Sequence, residues 1–265
     1  MRRNAVKQKW REGKVAVGGW LSIPSTYTAE IMAHQGFDWL CVDTQHGMID
    51  YSAAVPMLQA ISTTDTVPFV RVPWNEPSII MKYLDAGAYG IIVPMVNNRR
   101  EAEAAVAACR YPPDGIRSFG PNRVTLYAGA GYASEANAEV ACVVMIETAE
   151  AIEKLDEILG TPGVDAAYIG PADLSLAIGL PPRGDNDDPK HVATVGRIRE
   201  ACERHGVIPG IHCASSKFAA AKASEGFKMV MLTSDVAGVS AHASRLLAEM
   251  KGAVAQSPGS GNPYG

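Results

Sequence analysis

Residues 141–148 read ACVVMIET and residues 165–173 read DAAYIGPAD, so two apolar runs each end on an acid, Glu147 and Asp173. Apolar runs without alternation are typical of strands buried on both faces. The stretch between them, 148–159, has the spacing of an amphipathic helix. Strand, helix and strand in this order predict adjacent parallel strands about 4.8 Å apart, with both carboxylates at one edge. Such carboxylates repel each other unless they share a proton or a metal ion, so the sequence suggests a metal site.

The same alternation of strand and helix continues along most of the chain. About eight strand–helix units follow one another, which predicts an α/β fold of the (β/α)₈ TIM barrel type. The alternative is a doubly wound open sheet, but no Gly-x-Gly-x-x-Gly motif follows the first predicted strand, 15–23. We expect one barrel domain over residues 1–254 with a short, solvated N-terminal helix, and a disordered tail over 255–265. The connection 111–139 is unusually long, which indicates a functional segment.

Composition and charge exclude several classes of function. The chain has 265 residues, a net charge of −4 and no basic stripe, which argues against nucleic-acid binding. No apolar run approaches the roughly 18 residues of a membrane span. The cysteines are odd in number and scattered, which is typical of a reducing cytoplasm rather than of a disulfide framework. They are Cys41, Cys109, Cys142, Cys202 and Cys213.

Polar residues follow other predicted strands as well. The second strand ends at Asp43 and is followed by His46, and the third ends at Arg71. Because the C-terminal ends of barrel strands form the active site, we expect these residues to meet Glu147 and Asp173 in one pocket. Asp43, His46 and Arg71 are therefore candidate catalytic residues, and the two acids are candidate metal ligands.

Each candidate also has a structural interpretation. Asp173 could equally cap a short helix, and Arg71 could form only a structural ion pair with a strand-end acid. His46 could be a loop histidine, and His212, at the end of the seventh strand, is a weaker candidate for the pocket. No lysine is predicted at the C-terminal end of a strand, so covalent imine chemistry is not expected.

Nine short motifs between residues 20 and 175 form a further pattern. They are Trp20-Leu21, Gly36-Phe37-Asp38-Trp39, Asp43-x-x-His46, Val70-Arg71, Leu84-Asp85-Ala86-Gly87, Val93-Pro94-Met95-Val96, Arg110-Tyr111-Pro112-Pro113-x-Gly115-x-Arg117, Ile146-Glu147-Thr148 and Ile169-Gly170-Pro171-Ala172-Asp173-Leu174-Ser175. In this order and spacing they resemble the class II pyruvate aldolases of the 4-hydroxy-2-oxoheptanedioate / 2-dehydro-3-deoxyglucarate aldolase (HpcH/HpaI) family. The resemblance implies a barrel of the phosphoenolpyruvate/pyruvate-domain type and a metal-dependent enzyme that cleaves and forms 4-hydroxy-2-oxo acids, giving pyruvate and an aldehyde.

The resemblance also implies roles for individual residues. Mg²⁺, Mn²⁺ or Co²⁺ would be held by Glu147 and Asp173, with no organic cofactor. His46 would be the acid/base and Arg71 the stabiliser of the enolate. The turn Gly170-Pro171-Ala172 would present backbone N–H groups to the pyruvate carboxylate.

The family pairs its histidine with an acid that falls here at Asp85. We place Asp85 at a helix C-terminus on the opposite face of its own barrel, so it could reach His46 only from a neighbouring subunit. The resemblance accordingly implies a homo-oligomer, a hexamer built as a trimer of dimers, with the last helix exchanged between partners.

Two departures from the family affect the substrate side of the site. Met145 stands where many relatives have Gln beside the keto acid, and Gln45 stands where a Glu often precedes the histidine. One alternative function is a lyase or decarboxylase acting on an oxaloacetate-like 2-oxo acid. A glycoside hydrolase using Glu147 and Asp173 is disfavoured because only 7% of residues are aromatic. A non-catalytic barrel scaffold is the third alternative.

Overall fold

Eight parallel strands close into a barrel in the computed structural model, which describes residues 1–256. Each strand pairs with its neighbour in the sequence, and β8 pairs with β1. The strands are β1 Ala16–Leu21, β2 Trp39–Asp43, β3 Val67–Arg71, β4 Gly90–Val93, β5 Ala141–Ile146, β6 Ala166–Ile169, β7 Ile208–Ile211 and β8 Met229–Ser234. The barrel prediction is confirmed, and the open doubly wound sheet is wrong because a closed ring leaves no edge strand. We call the end at which the strands finish the mouth, and the opposite end the lower end.

Helices connect the strands and surround the barrel. They are α1 Ala5–Arg11, α2 Thr26–Ala33, α3 Tyr51–Ile61, α4 Pro77–Asp85, α5 Arg99–Cys109, α6 Arg123–Ala128, α7 Tyr132–Glu139, α8 Ala149–Glu153, α9 Leu155–Leu159, α10 Pro171–Ala177, α11 Pro189–His205, α12 Ser216–Ser224 and α13 Asp235–Gln256. Local chemistry sets their bounds: the Asp50 side chain caps α3, and Gly206 ends α11 in the left-handed conformation. Within the described range, no helix is long and apolar enough to span a membrane.

The two ends of the chain differ from expectation in detail. The expected disordered tail lies outside the described residues from 257 onward, while residues 255 and 256 still belong to α13. The long connection 111–139 contains the short helices α6 and α7. Neither helix has a side-chain N-cap hydrogen bond: Asn122 precedes α6 but makes none, and α7 begins after Gly131.

The interior of the barrel is filled by aromatic side chains. Trp20 packs edge-on against Trp39 with ring centroids 6.4 Å apart and stacks on Tyr168 at 5.7 Å. Gly18 makes room for this layer, because a Cβ there would overlap the Trp39 ring. A separate apolar layer lies between the strands and the surrounding helices. The interior is therefore a packed core that stops just below the mouth.

The N-terminal helix α1 closes the lower end of the barrel. Val6 and Trp10 are buried against the interior aromatic layer, so the expectation of a solvated helix is wrong. Its apolar face, Val6 and Trp10, covers barrel core that would otherwise be open to water, while its basic residues face outward or pair with acids. Lys7 is the buried exception, and it binds Asp165 at 2.7 Å. This arrangement leaves the mouth as the open end.

Candidate active site

Asp43 and Arg71 form a fixed ion pair at the mouth. They end adjacent strands, β2 and β3, and lie opposite each other in the strand register. Arg71 donates from Nε to Asp43 Oδ1 at 2.9 Å and from Nη2 to Oδ2 at 2.6 Å, a bidentate geometry that fixes the guanidinium plane. Burial alone would raise the pKa of Asp43, but the hydrogen bonds and charge of Arg71 outweigh it and hold this pKa below its ordinary value. The sequence allowed Arg71 to form an ion pair with an acid at the end of a strand. The structure shows this pair, and Asp43 is the partner.

Additional donors complete the environment of Asp43. Trp20 donates from Nε1 to Oδ2 at 3.1 Å, and the backbone N–H groups of Gln45 and His46 donate to Oδ1 at 3.1 and 3.3 Å. The Arg71 guanidinium also lies over the Trp20 ring, 5.0 Å from its centroid. Asp43 therefore orients Arg71 and the start of the loop that carries His46.

Glu147 is buried directly after β5 without a cationic side chain bound to it in the described structure. Its Oε1 accepts the backbone N–H of Met95 at 2.9 Å. Burial, with a further contribution from the charge of Asp173, raises the pKa of Glu147 to about 7 against the opposing effects of the Met95 N–H and Arg71. Met95 adopts a left-handed φ of 56°, which is rare for a residue with a side chain and serves here to direct its N–H at the carboxylate.

Asp173 lies in the first turn of α10, exposed at the mouth. The N-cap of this helix is Gly170, which makes no side-chain cap bond, and Asp173 does not cap it either. The first helical bond runs from Leu174 N–H to Gly170 O, so the N–H groups of Ala172 and Asp173 precede the helical ladder. Asp173 is thus free for a role other than the capping that its sequence also allowed.

Gly170 holds the two acids close together. A Cβ at this position would lie 2.6 Å from Glu147 Oε2 and 3.1 Å from Met145 Cε. Only glycine therefore lets the β6–α10 turn pass beside Glu147. Met145 is buried on β5 and contributes an apolar wall at this point, and Pro171 is buried beside it.

His46 and Asp85 are placed apart. His46 is exposed in the loop after β2, at the mouth. Asp85 is the last residue of α4, at the lower end, where the chain turns back into β4, and Oδ1 of Asp85 accepts from Arg117 Nη2 at 2.7 Å. Arg117 is buried and also donates to the Tyr132 hydroxyl at 2.8 Å. The described residues of one chain contain no contact between His46 and Asp85.

Several residues at the mouth were not assigned from the sequence. Trp20 binds Asp43, the Met95 backbone binds Glu147, and Tyr168 binds His212. Trp20 and Met95 both lie within motifs that the sequence pattern contains. Trp20 acts through its indole N–H and Met95 through its backbone N–H, and a pattern of residue types does not predict that these donors bind the two acids.

The residues at the mouth fit a divalent cation that prefers oxygen. No cluster of three His, Cys, Asp or Glu residues suited to a metal occurs in residues 1–256. Glu147 and Asp173 nevertheless supply two carboxylates, and Mg²⁺ in proteins is commonly held by one or two carboxylates with substrate and water in the other positions. The raised pKa of the buried Glu147 is the signature expected of a carboxylate that lacks its counter-charge.

Known proteins resemble this chain over most of its length. The chain is 44% identical over 248 residues to the hydroxypyruvate/pyruvate aldolase of Rhizorhabdus wittichii, covering 94% of this chain and 99% of the relative. It is 40% identical over 227 residues to the 4-hydroxy-2-oxo-heptane-1,7-dioate aldolase of Klebsiella pneumoniae, covering 82% of each. The crystal structure of an HpcH/HpaI aldolase/citrate lyase family protein from Burkholderia cenocepacia matches with a TM-score of 0.87 and 32% identity, covering 94% of this chain and 99% of that chain. A family model described as HpcH/HpaI aldolase/citrate lyase matches residues 17–241, which confirms the resemblance: the chain belongs to this family.

Proposed function

We propose that this protein is a divalent-metal-dependent aldolase that cleaves and forms 4-hydroxy-2-oxo acids, with pyruvate and an aldehyde as the products of cleavage. The observation that carries the proposal is the electrostatic cluster at the mouth, in which the buried Glu147 interacts with Asp173 and Arg71. The aldolase relatives support the reaction type. The acidic net charge supports small-molecule substrates rather than nucleic acid.

Glu147 and Asp173 are the residues that would hold the metal ion, Mg²⁺, Mn²⁺ or Co²⁺. When bound, the ion supplies Lewis-acid stabilisation of the negative charge that develops on the keto oxygen of the substrate. The Met95 N–H fixes one oxygen of Glu147, so the other, Oε2, is left beside Gly170 and free to bind the ion. Met145, Gly170, Pro171 and Ala172 would line the pyruvate end of the substrate, with the Ala172 N–H donating to its carboxylate.

Arg71 would stabilise the enolate oxygen. Its Nε and Nη2 are held by Asp43, and its Nη1 has no hydrogen-bond partner in the described chain. A guanidinium fixed in this way needs little reorganisation as negative charge develops nearby. Trp20 below it keeps the same region apolar, which strengthens the interaction.

His46 would move the proton. During cleavage its imidazole takes the proton of the 4-hydroxyl group. During the reverse reaction, aldol addition, it gives that proton to the newly formed alkoxide. Asp85 would orient this imidazole from a neighbouring subunit. Arg117 holds one oxygen of Asp85, and no described residue binds the other.

The proposed quaternary structure is a homohexamer, a trimer of dimers, with α13 exchanged between subunits. The support is an apolar face of α13 that is exposed in one chain and includes Val239, Leu247 and Met250. We also propose a cytoplasmic location, since all five cysteines are free and buried.

The test is pyruvate release from a 4-hydroxy-2-oxo acid, with and without EDTA, followed by addition of Mn²⁺ or Mg²⁺. We expect EDTA to abolish release and either metal to restore it. Release that continues in EDTA would overturn the assignment of Glu147 and Asp173. Release from oxaloacetate alone, with none from the hydroxy acids, would favour the alternative decarboxylase, because the same Arg71 charge stabilises the enolate whichever bond breaks.

A further inference from the structure

His212 is a half-buried histidine at the mouth that the proposed mechanism leaves unused. It directly follows β7, and its backbone N–H donates to Ile169 O, so it belongs to the same layer as the other strand-end residues. Its ring packs edge-on against Trp20 with centroids 5.0 Å apart. Arg71 lies over the same indole at 5.0 Å. One indole ring therefore separates His212 from the guanidinium assigned to the enolate.

The hydrogen bond to Tyr168 decides which nitrogen of His212 carries a proton. The Tyr168 hydroxyl lies 3.3 Å from His212 Nδ1 and has no other hydrogen-bond partner in the described chain. Burial raises the pKa of Tyr168 well above its ordinary value, so the hydroxyl keeps its proton. Because a buried O–H without an acceptor is costly, this proton points at Nδ1.

His212 is accordingly a neutral donor. Burial, and next the charge of Arg71, lower the pKa of His212 to about 4, so the ring is uncharged near pH 7. With Nδ1 accepting from Tyr168, the ring proton lies on Nε2. His212 Nε2 makes no hydrogen bond to any described residue, and the ring is only half-buried. A fixed, uncharged N–H donor at this place suits a neutral oxygen acceptor, because a carboxylate binds more strongly to a positively charged donor.

We infer that His212 is a specificity-determining residue whose Nε2–H donates to a hydroxyl oxygen on the carbon next to the aldehyde group, so that the enzyme selects α-hydroxyaldehydes as acceptors. The inference rests on the proposed aldolase function and names its acceptor class. Under that function the oxygens of the pyruvate unit already have partners in Glu147, Asp173, Arg71 and Ala172. The His212 Nε2–H is a donor at the mouth that these contacts leave unused, so the acceptor's own hydroxyl can use it.

The test compares two acceptors that differ by one hydroxyl, glycolaldehyde and acetaldehyde, each with pyruvate as donor. The variants are His212→Phe, which keeps an aromatic ring without the donor, and His212→Gln, whose amide retains an N–H. We expect His212→Phe to lower kcat/KM for glycolaldehyde about tenfold and kcat/KM for acetaldehyde less than threefold. The ratio of the two kcat/KM values therefore falls in His212→Phe, and His212→Gln should restore part of it. His34→Phe, at the exposed end of α2, is the matched control and leaves both values unchanged.

Tyr168→Phe gives an independent check, because it removes the hydroxyl that fixes the tautomer of His212. Without the Tyr168 hydroxyl the proton is free to occupy Nδ1, so the ratio of the two kcat/KM values falls between those of wild type and His212→Phe. An unchanged ratio in His212→Phe, or an equal loss on both acceptors, would overturn the inference. If wild type forms no aldol product with either acceptor, the proposed function fails instead. Melting temperatures of all variants separate these outcomes from unfolding.

Discussion

The two ends of the barrel both bury charged groups, but they balance these charges differently. At the lower end, Lys7 and Arg110 bind the two oxygens of Asp165 at 2.7 and 3.0 Å, and the charges are paired. At the mouth, Glu147 faces a second carboxylate and accepts only a backbone N–H, and its pKa rises to about 7. The lower end therefore stabilises the fold, whereas the mouth maintains a charge imbalance that a bound cation can correct. This contrast supports the proposed site at the mouth without reference to any relative.

The largest effect is expected from Glu147→Gln, which removes the charge at the mouth. Loss of one metal-holding carboxylate should lower kcat/KM about 10²- to 10³-fold, while the melting temperature without added metal stays the same or rises, because a buried carboxylate without a counter-charge is removed. Initial rates and Mn²⁺ titration calorimetry are the measurements. Glu150→Gln, three residues further along and exposed on α8, should change neither the rate nor the Mn²⁺ affinity. A Glu147→Gln enzyme with a kcat/KM within tenfold of wild type would contradict the comparison.

The converse variant, Asp165→Asn, removes the acid of the paired charges at the lower end of the barrel. It leaves Lys7 and Arg110 partly buried without their shared acid, so the free energy of unfolding should fall by about 3 kcal/mol with kcat per folded enzyme unchanged. Urea denaturation and active-site-normalised rates measure the two quantities. The exposed acid Asp156, which pairs with Arg204, is the control, and Asp156→Asn should cost less than about 1 kcal/mol. A loss of kcat in Asp165→Asn beyond the loss of folded protein would show that the ends are not independent.

Arg71→Lys tests geometry at the mouth while keeping the charge. Lysine cannot reproduce the bidentate contact with Asp43, so the cation is no longer fixed, and kcat should fall about 10- to 100-fold with a smaller change in KM. Steady-state kinetics with the 4-hydroxy-2-oxo acid provide both constants. Arg99→Lys, in an exposed pair on α5, serves as the matched control. A kcat within threefold of wild type would mean that a positive charge at residue 71 is sufficient and that its fixed position contributes little.

The smallest effect concerns acid stability through Asp43. Its pKa in the folded protein is below the unfolded value of about 3.9, so its ion pair contributes stability that is fully present above that value and is lost as pH falls through the folded pKa. The gap in unfolding free energy between wild type and Asp43→Asn should therefore be constant from pH 7 to 5 and narrow below pH 4. Denaturant titrations at pH 7, 5, 4 and 3.5 measure it; a gap that stays constant down to pH 3.5 would refute the assignment.

Much of the architecture could be predicted because it depends on patterns within short segments. Unalternating apolar runs separated by amphipathic stretches predict a parallel barrel, and the acids that end two of the runs predict where Glu147 and Asp173 lie. Asp43 and Arg71 followed from the same rule of strand ends. Their bidentate pairing follows from a register in which β2 and β3 place them opposite each other.

The remainder depends on contacts between distant segments, which local patterns do not encode. The left-handed Met95 turn, the Trp20 bond to Asp43 and the Tyr168 bond to His212 all join different strands. The helix α1 has basic residues that suggest a solvated helix, and only the barrel closure shows that Trp10 has a core to enter. The sequence predicted which residues are polar at the mouth, but not the backbone and indole donors that orient them.

The closed lower end has a consequence for biosynthesis. Trp10 donates from its indole to Lys228 O, 218 residues away, and Ala16 N–H of β1 binds the same carbonyl. At about 5–20 residues per second, the ribosome needs roughly 10 to 40 seconds to make that partner after Trp10. During this interval the Trp10 indole N–H lacks its native acceptor, and the edge of β1 that pairs with β8 is open. The lower end of the barrel therefore gains these two hydrogen bonds only after the chain has been synthesised as far as its last strand.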